Sequence, residues 1–228
     1  MDGARELTPT HLQLREATRE AHAAAEASPL MRRLLAGELD EAGYRGLLEA
    51  QLTLFRAWES ERASWLSGIA IAPGWRYVSR AAALEVDLAA MASVDDSVPL
   101  DTAASLACRS APGREGAGVN AGDWREEPSR PGALLQGVSQ PSAAWGELYV
   151  IEGSALGGRM IIAGLRTRFP HLPHHFYGVG EGTPPWRRLQ GLLDRVLNDR
   201  PSQEAATAAA LAMFARFQRT LQDHSPHD

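Results

Sequence analysis

The sequence predicts a single all-α domain, and three observations support this prediction. Apolar residues recur at three- and four-residue spacing through most of the chain, as they do on the buried faces of helices. No stretch alternates polar and apolar residues as a half-buried strand would. A chain of 228 residues is long enough to bury one substantial core, and no internal repeat divides it. We therefore predict one domain over residues 1–228.

Helix signals follow one another in order along the first half. Thr8 followed by Pro9 is typical of an N-cap and a first helical position, and it predicts a helix ending near Ala27. Asp40 can cap a second helix. The apolar residues of that helix are Tyr44, Leu47, Leu48, Leu52 and Phe55. A third helix has three apolar residues on one face: Leu84, Leu88 and Met91.

Three further helices are predicted in the second half. A long one starts after Pro141 and continues to about Phe169, and residues 186–197 form the next. The last begins near Ser202, and its inward-facing residues are Leu211, Phe214, Phe217 and Leu221.

Two loops separate these helices. Residues 111–132 are rich in proline and glycine, which predicts a mobile loop. Residues 170–185 contain three histidines: His171, His174 and His175. Such a group could bind a metal ion, but histidines in loops are more often simply solvated, and we favour that interpretation.

The composition excludes several classes of protein. With 44% hydrophobic and 22% charged residues the chain is too apolar to be disordered, and a net charge of −5 argues against nucleic-acid partners. Cys108 is the only cysteine, so no disulfide can form within the chain. Residues 1–10 lack the apolar core of a signal peptide. Residues 148–165 are apolar but contain Glu152 and Arg159, each costing about 2.5–3.5 kcal/mol near a bilayer centre. We expect a cytoplasmic protein without a membrane span.

The first helix carries a polar stripe beside its apolar face. On a helical wheel the inward residues are Leu14, Thr18, Ala21 and Ala25. The adjoining stripe contains Arg15, Arg19, His22 and Glu26. Because Glu26 lies one turn after His22, its carboxylate can orient the imidazole and make the free ring nitrogen a better metal ligand. The alternative is an exposed, salt-bridged helix face with a half-buried histidine, and from this helix alone we favour that alternative.

The long helix contains three interior glycines: Gly153, Gly157 and Gly158. Each costs about 1 kcal/mol of helix propensity relative to alanine, so a compensating role is expected. Gly153 and Gly157 share a face, which could receive either a neighbouring helix or a flat ligand. The sequence leaves these two interpretations equal.

Three segments together resemble the haem oxygenase family in its bacterial form. Residues 14–22 (LREATREAH) are similar to the proximal helix of that family, and residues 152–158 (EGSALGG) to its distal helix. Residues 82–89 (AALEVDLA) are similar to a third family segment. The resemblance extends over residues 12–91 and 141–221, and it implies an all-α fold with haem between the proximal and distal helices.

The resemblance also implies roles for individual residues. His22 would be the axial ligand of the haem iron and Glu26 would orient it. The expected haem-propionate contacts are Arg15, Arg19, Arg187 and Tyr149. The expected distal residues are Gly153, Ser154, Gly157 and Gly158. The chain departs from the family in having Ser154 in place of a common aspartate, Gly191 in place of an arginine, and the loop at 111–132.

The reaction implied by the resemblance is the oxygen-dependent cleavage of haem to biliverdin, carbon monoxide and iron. It requires an external electron donor such as a ferredoxin, a flavodoxin or a reductase, and a bilin-using photoreceptor could take the product. Two alternatives stay open: a haem carrier or sensor without turnover, and a thiamine-degrading or quinone-forming relative. The second of these would need a catalytic cysteine or a histidine cluster in the core.

Overall fold

A computed structural model describes residues 8–69, 75–95, 142–179, 181 and 186–223. These residues form helices and no strands, which confirms the predicted all-α class. The helices are α1 (Thr10–Glu26), α2 (Pro29–Leu35), α3 (Glu41–Glu61), α4 (Ala63–Ile69), α5 (Arg80–Asp95), α6 (Ser142–Arg168), α7 (His175–Gly178), α8 (Trp186–Val196) and α9 (Arg200–Asp223). The predicted loop at 111–132 and Cys108 lie outside the described residues, and the extent of the domain over residues 1–228 stays a prediction.

Local sequence explains where α3 and α9 begin. The Asp40 side chain accepts a hydrogen bond from the Gly43 amide at 2.8 Å, so the predicted cap of α3 is confirmed. The start predicted for α9 near Ser202 was two residues late. Asp199 accepts from the Ser202 amide at 2.7 Å, and α9 therefore starts at Arg200.

The predicted cap of α1 was wrong. Pro9 is itself the N-cap, with extended backbone and no side-chain cap, so Thr8 lies outside the helix. The Thr8 carbonyl instead accepts a hydrogen bond from the Gln13 side chain at 2.6 Å. The short helices α2, α4 and α7 were not predicted, because four to seven residues do not display a helical period.

Helix α6 packs along α9, and α9 also contacts α1 and α3. A Cβ atom on Gly146 would collide with the backbone carbonyl of Ala206, so this glycine is what lets α6 and α9 approach closely. The core contains Tyr44, Phe55 and Trp58, all fully buried. Leu211 is 40% exposed, against prediction, whereas Met213 and Phe214 point inward from the same helix.

Within the part of the chain that the structure describes, α6 alone is long and apolar enough to cross a membrane. The core helix of a folded domain meets the same criteria of length and apolar composition, so these two properties do not identify a membrane span. Here α6 packs against α9, and Glu152 near its centre forms a buried ion pair with Arg80.

Candidate functional site

Thr18 of α1 and Tyr149 of α6 lie beside each other. Burial raises the pKa of Tyr149, and the neighbouring Thr18 hydroxyl and Arg15 guanidinium oppose this rise only in part. The Thr18 hydroxyl donates to the Leu14 carbonyl of its own helix at 2.7 Å. His22 and Gly153 each lie one helical turn beyond these two residues, on α1 and α6 respectively.

His22 is an exposed side chain with an oriented ring. Its Nδ1 lies 3.7 Å from a carboxylate oxygen of Glu26, and both side chains are 58% exposed. The ring packs edge-on against Phe214 of α9, with centroids 5.7 Å apart. Because Nδ1 faces the carboxylate, Nε2 is the nitrogen left free to bind a partner.

The glycines of α6 divide into packing positions and open positions. A Cβ on Gly158 would lie 3.2 Å from the Tyr177 carbonyl, so Gly158 packs against α7, as Gly146 packs against α9. Nothing described lies within 4 Å of a Cβ built on Gly157. At Gly153 the neighbour is the Trp186 ring, 3.8 Å away. Trp186 also contacts the ring of Tyr149, with centroids 5.6 Å apart.

These positions change the expected site in two respects. Gly158 is buried against α7 rather than on the open face, so we do not retain it as a cofactor contact. The Ser154 hydroxyl donates to the Ile151 carbonyl at 2.7 Å, within its own helix, and so its proton is already committed.

The arginines of the expected propionate edge differ in their partners. Arg19 forms an exposed ion pair with Glu16 at 3.2 Å. Arg15 and Arg187 are exposed and have no carboxylate partner among residues 8–69, 75–95, 142–179, 181 and 186–223. Arg15 is close to Tyr149, and Arg187 follows Trp186 in sequence. Arg15 is therefore a cation beside the aromatic pair, and Arg187 is on the same helix as Trp186.

The family of this chain follows from its relatives. The family model described as "Heme oxygenase" matches residues 9–109. A curated relative named "Heme oxygenase", from Xanthomonas campestris pv. campestris (strain 8004), is 32% identical and aligns with 84% of this chain and 96% of its own length. The chain belongs to the haem oxygenase family.

Solved haem oxygenase structures share the fold. The enzyme from Leptospira interrogans aligns with a TM-score of 0.61 at 19% identity, covering 95% of this chain and all of that one. Heme oxygenase-1 from the cyanobacterium Synechocystis sp. PCC6803, solved in complex with heme, aligns with a TM-score of 0.57 at 18% identity, covering 95% and 92%. The haem oxygenase fold predicted from the sequence is confirmed.

The three loop histidines of this haem oxygenase family member have separate partners. His171 contacts Glu41 at 3.1 Å, His174 contacts Tyr44 at 3.0 Å, and the His175 ring contacts Asp87 at 2.8 Å. No group of three or more potential metal ligands occurs among the described residues. The interpretation of these histidines as simply solvated was wrong for His174, which is buried at 8% exposure.

Sequence reasoning missed the two acids that anchor α6. Glu152 pairs with Arg80 of α5 at 2.8 Å, and Glu147 accepts hydrogen bonds from Trp58 and Arg62 at 2.8 Å or less. Burial raises the pKa of Glu152, and Arg80 opposes this rise. Arg80 could not be identified as its partner because 72 residues separate the two in sequence.

Proposed function

We propose that this protein catalyses the oxygen-dependent cleavage of haem to biliverdin, carbon monoxide and iron, with haem as both substrate and prosthetic group. The iron of bound haem supplies the oxygen chemistry, and the protein supplies ligation, orientation and exclusion of water. The observation that carries the proposal is the open glycine face at Gly157, together with an exposed histidine on α1, whose Thr18 lies beside Tyr149 of α6.

His22 is the proposed axial ligand. Its Nε2 is available because Glu26 lies on the Nδ1 side, 3.7 Å away, and the edge contact with Phe214 limits rotation of the ring. A carboxylate in this position favours the tautomer with the proton on Nδ1, which leaves the Nε2 lone pair free for a metal. These are the properties that ligation of haem iron requires of a histidine.

The glycine face is proposed to lie against the haem plane. At Gly157 the backbone can be approached closely, because nothing described within 4 Å fills the space of a missing Cβ. At Gly153 the Trp186 ring occupies the adjacent space, and it could form an aromatic wall beside the macrocycle.

Arg15 and Arg187 are proposed to bind the haem propionates. A guanidinium can donate two parallel hydrogen bonds to a carboxylate, and neither of these two is engaged by a described carboxylate. Arg19 would first have to release Glu16, so we assign it a weaker contribution. Tyr149 is proposed to complete this edge, because it lies close to Arg15.

Titration with hemin tests this function. The wild-type protein should produce a Soret band of ligated haem, and addition of a reductant and oxygen should convert it to biliverdin, identified by chromatography. His22→Ala should lose the spectrum of ligated haem, and added imidazole should partly restore it. His171→Ala is the matched control, since it removes another exposed histidine that is paired with a glutamate. Identical spectra for wild type and His22→Ala would refute the ligand assignment.

A haem carrier or sensor is the second candidate function, and Ser154 favours it. In its present position the Ser154 hydroxyl donates its proton to the Ile151 carbonyl and cannot also donate to a bound oxygen molecule. If the protein is a carrier, the Soret band will persist in the presence of reductant and oxygen. If it is the proposed enzyme, the band will disappear and biliverdin will form.

The electron donor is proposed to be a ferredoxin, a flavodoxin or a reductase, because the reaction needs electrons that the described residues do not supply. A cytoplasmic location would give access to such donors. A bilin-using photoreceptor could consume the product. Each partner can be tested by coupled turnover with the purified donor or acceptor.

A further inference from the structure

The ion pair between Arg80 and Glu152 lies in the interior, directly behind the proposed ligand face. Its nitrogen and oxygen atoms are 2.8 Å apart, and the two side chains are only 2% and 9% exposed. Glu152 immediately precedes Gly153. The pair therefore joins the start of α5 to the turn of α6 on which the open face begins.

Burial of such a pair contributes little to net stability. Removing two charges from water is costly, and apolar residues of similar volume are often equally stabilising or more so. What a charged hydrogen bond adds is direction, because it holds only within a narrow range of distances and angles. An apolar contact does not fix distance and angle in this way, so it would restrain the rotation of α6 about its axis less.

The Arg80 side chain is itself firmly held. Its second terminal nitrogen donates to the Val78 carbonyl at 2.7 Å, and its guanidinium packs over the Tyr77 ring at 5.4 Å. The Arg80 amide donates to Glu59 of α3 at 2.7 Å. Glu152 is thus attached to a rigid point formed by α3 and α5.

A second acid on α6 restrains rotation in the opposite sense. With about 100° per residue, Glu152 lies about 120° to one side of the Gly153–Gly157 stripe and Glu147 about 100° to the other. Glu147 is bound to Trp58 and Arg62 of the α3–α4 region. Rotation in either direction would stretch one of these two anchors. A rotation of about 20° would move a Cα atom by about 0.8 Å, at a helix radius of about 2.3 Å.

We propose that Arg80 and Glu152 are positioning residues, which hold α6 at the rotation that directs Gly153 and Gly157 toward the haem face. This proposal rests on the proposed function, since that function assigns the face to haem. A functional site tolerates displacements of about 0.5 Å. A rotation of about 20°, which moves a Cα atom by about 0.8 Å, would therefore exceed this tolerance.

The decisive variant is the double substitution Arg80→Met with Glu152→Leu, which replaces the ion pair by apolar side chains. The melting temperature of the apo-protein should stay equal or rise, while amide hydrogen exchange over residues 151–158 becomes faster. Hemin affinity should fall, the ratio of biliverdin isomers should change, and single-turnover cleavage should slow by about 10- to 100-fold. Arg80→Lys keeps the charge and one hydrogen-bond donor. Its hemin affinity, isomer ratio and cleavage rate should lie between those of the wild type and the double variant.

Leu165→Ala is the matched control, because it destabilises α6 by removing buried apolar contacts and leaves both acids in place. It should lower the melting temperature without changing the isomer ratio. If the double variant is stable and has wild-type exchange, hemin affinity and isomers, the positioning role is wrong. The same holds if Leu165→Ala changes isomers as much as the double variant does. If the wild type does not cleave haem, the proposed function is wrong. The positioning role is still tested in that case, because hydrogen exchange is measured on the apo-protein.

Discussion

Gly157→Ala should stabilise the apo-protein and impair haem binding. The added Cβ meets no described atom within 4 Å, so the apo-protein gains helix propensity without a clash. The gain is about 1 kcal/mol, which corresponds to a rise in melting temperature of about 2–4 °C for a chain of this size. In the holo-protein the methyl group would enter space proposed for haem. Overpacking of about 1–3 kcal/mol would weaken hemin binding by about 5- to 150-fold.

Gly46→Ala provides the control for this prediction. Gly46 lies inside α3, away from the α6 stripe, and a Cβ there also meets nothing described within 4 Å. It should raise the apo melting temperature by a similar amount and leave hemin affinity and single-turnover cleavage unchanged. Gly146→Ala should instead lower the melting temperature, because its Cβ would meet the Ala206 backbone. Melts without hemin, a hemin titration and a single-turnover assay measure all three variants. A lower apo melting temperature for Gly157→Ala, or normal hemin binding, would refute the open-face argument.

Two further predictions concern charge and pH. Arg15→Glu and Arg187→Glu should each weaken hemin binding or shift the ratio of biliverdin isomers, because each places a repelling charge at the proposed propionate edge. Arg33→Glu on α2 is the control for the change in net charge. If Arg15→Glu and Arg187→Glu alter hemin affinity and isomer ratio no more than Arg33→Glu does, the propionates lie elsewhere. Burial lowers the pKa of His174 below its ordinary value, so the folded state binds fewer protons than the unfolded state. Stability should therefore fall as pH decreases below about 6.5. In thermal melts, the melting temperature of His174→Gln should depend less on pH than that of the wild type. If both depend on pH equally, other groups cause the loss of stability.

The long helices could be predicted because they carry several turns of regular apolar spacing. Helix α3 has 21 residues and α6 has 27, so their type did not depend on a single position. Exact ends were less predictable. The Thr8-Pro9 pattern was assigned one position too early, because Pro9 takes the extended backbone of a cap.

The buried polar contacts could not be predicted, because each depends on residues distant in sequence. Asp87 shows this most clearly. It is fully buried, and its carboxylate accepts hydrogen bonds from the amides of His175 and Phe176, at the start of α7. The resemblance to the haem oxygenase family included Asp87, but nothing local indicated that it organises a segment 88 residues away. Acidic side chains are almost never fully buried unless they are paired, and the sequence around Asp87 shows no such partner, so sequence alone would place it at the surface.

The glycines of α6 show why two interpretations of one motif had seemed equal. A missing side chain allows any close approach, whether by a helix, a loop or a ligand. The neighbours decide which applies: the α9 backbone lies against Gly146, Tyr177 lies against Gly158, and no described atom lies against Gly157. Gly146 and Gly157 are separated by about 16 Å of helix, at 1.5 Å per residue. Packing therefore accounts for Gly146 and Gly158, and contact with haem stays the proposal for Gly153 and Gly157.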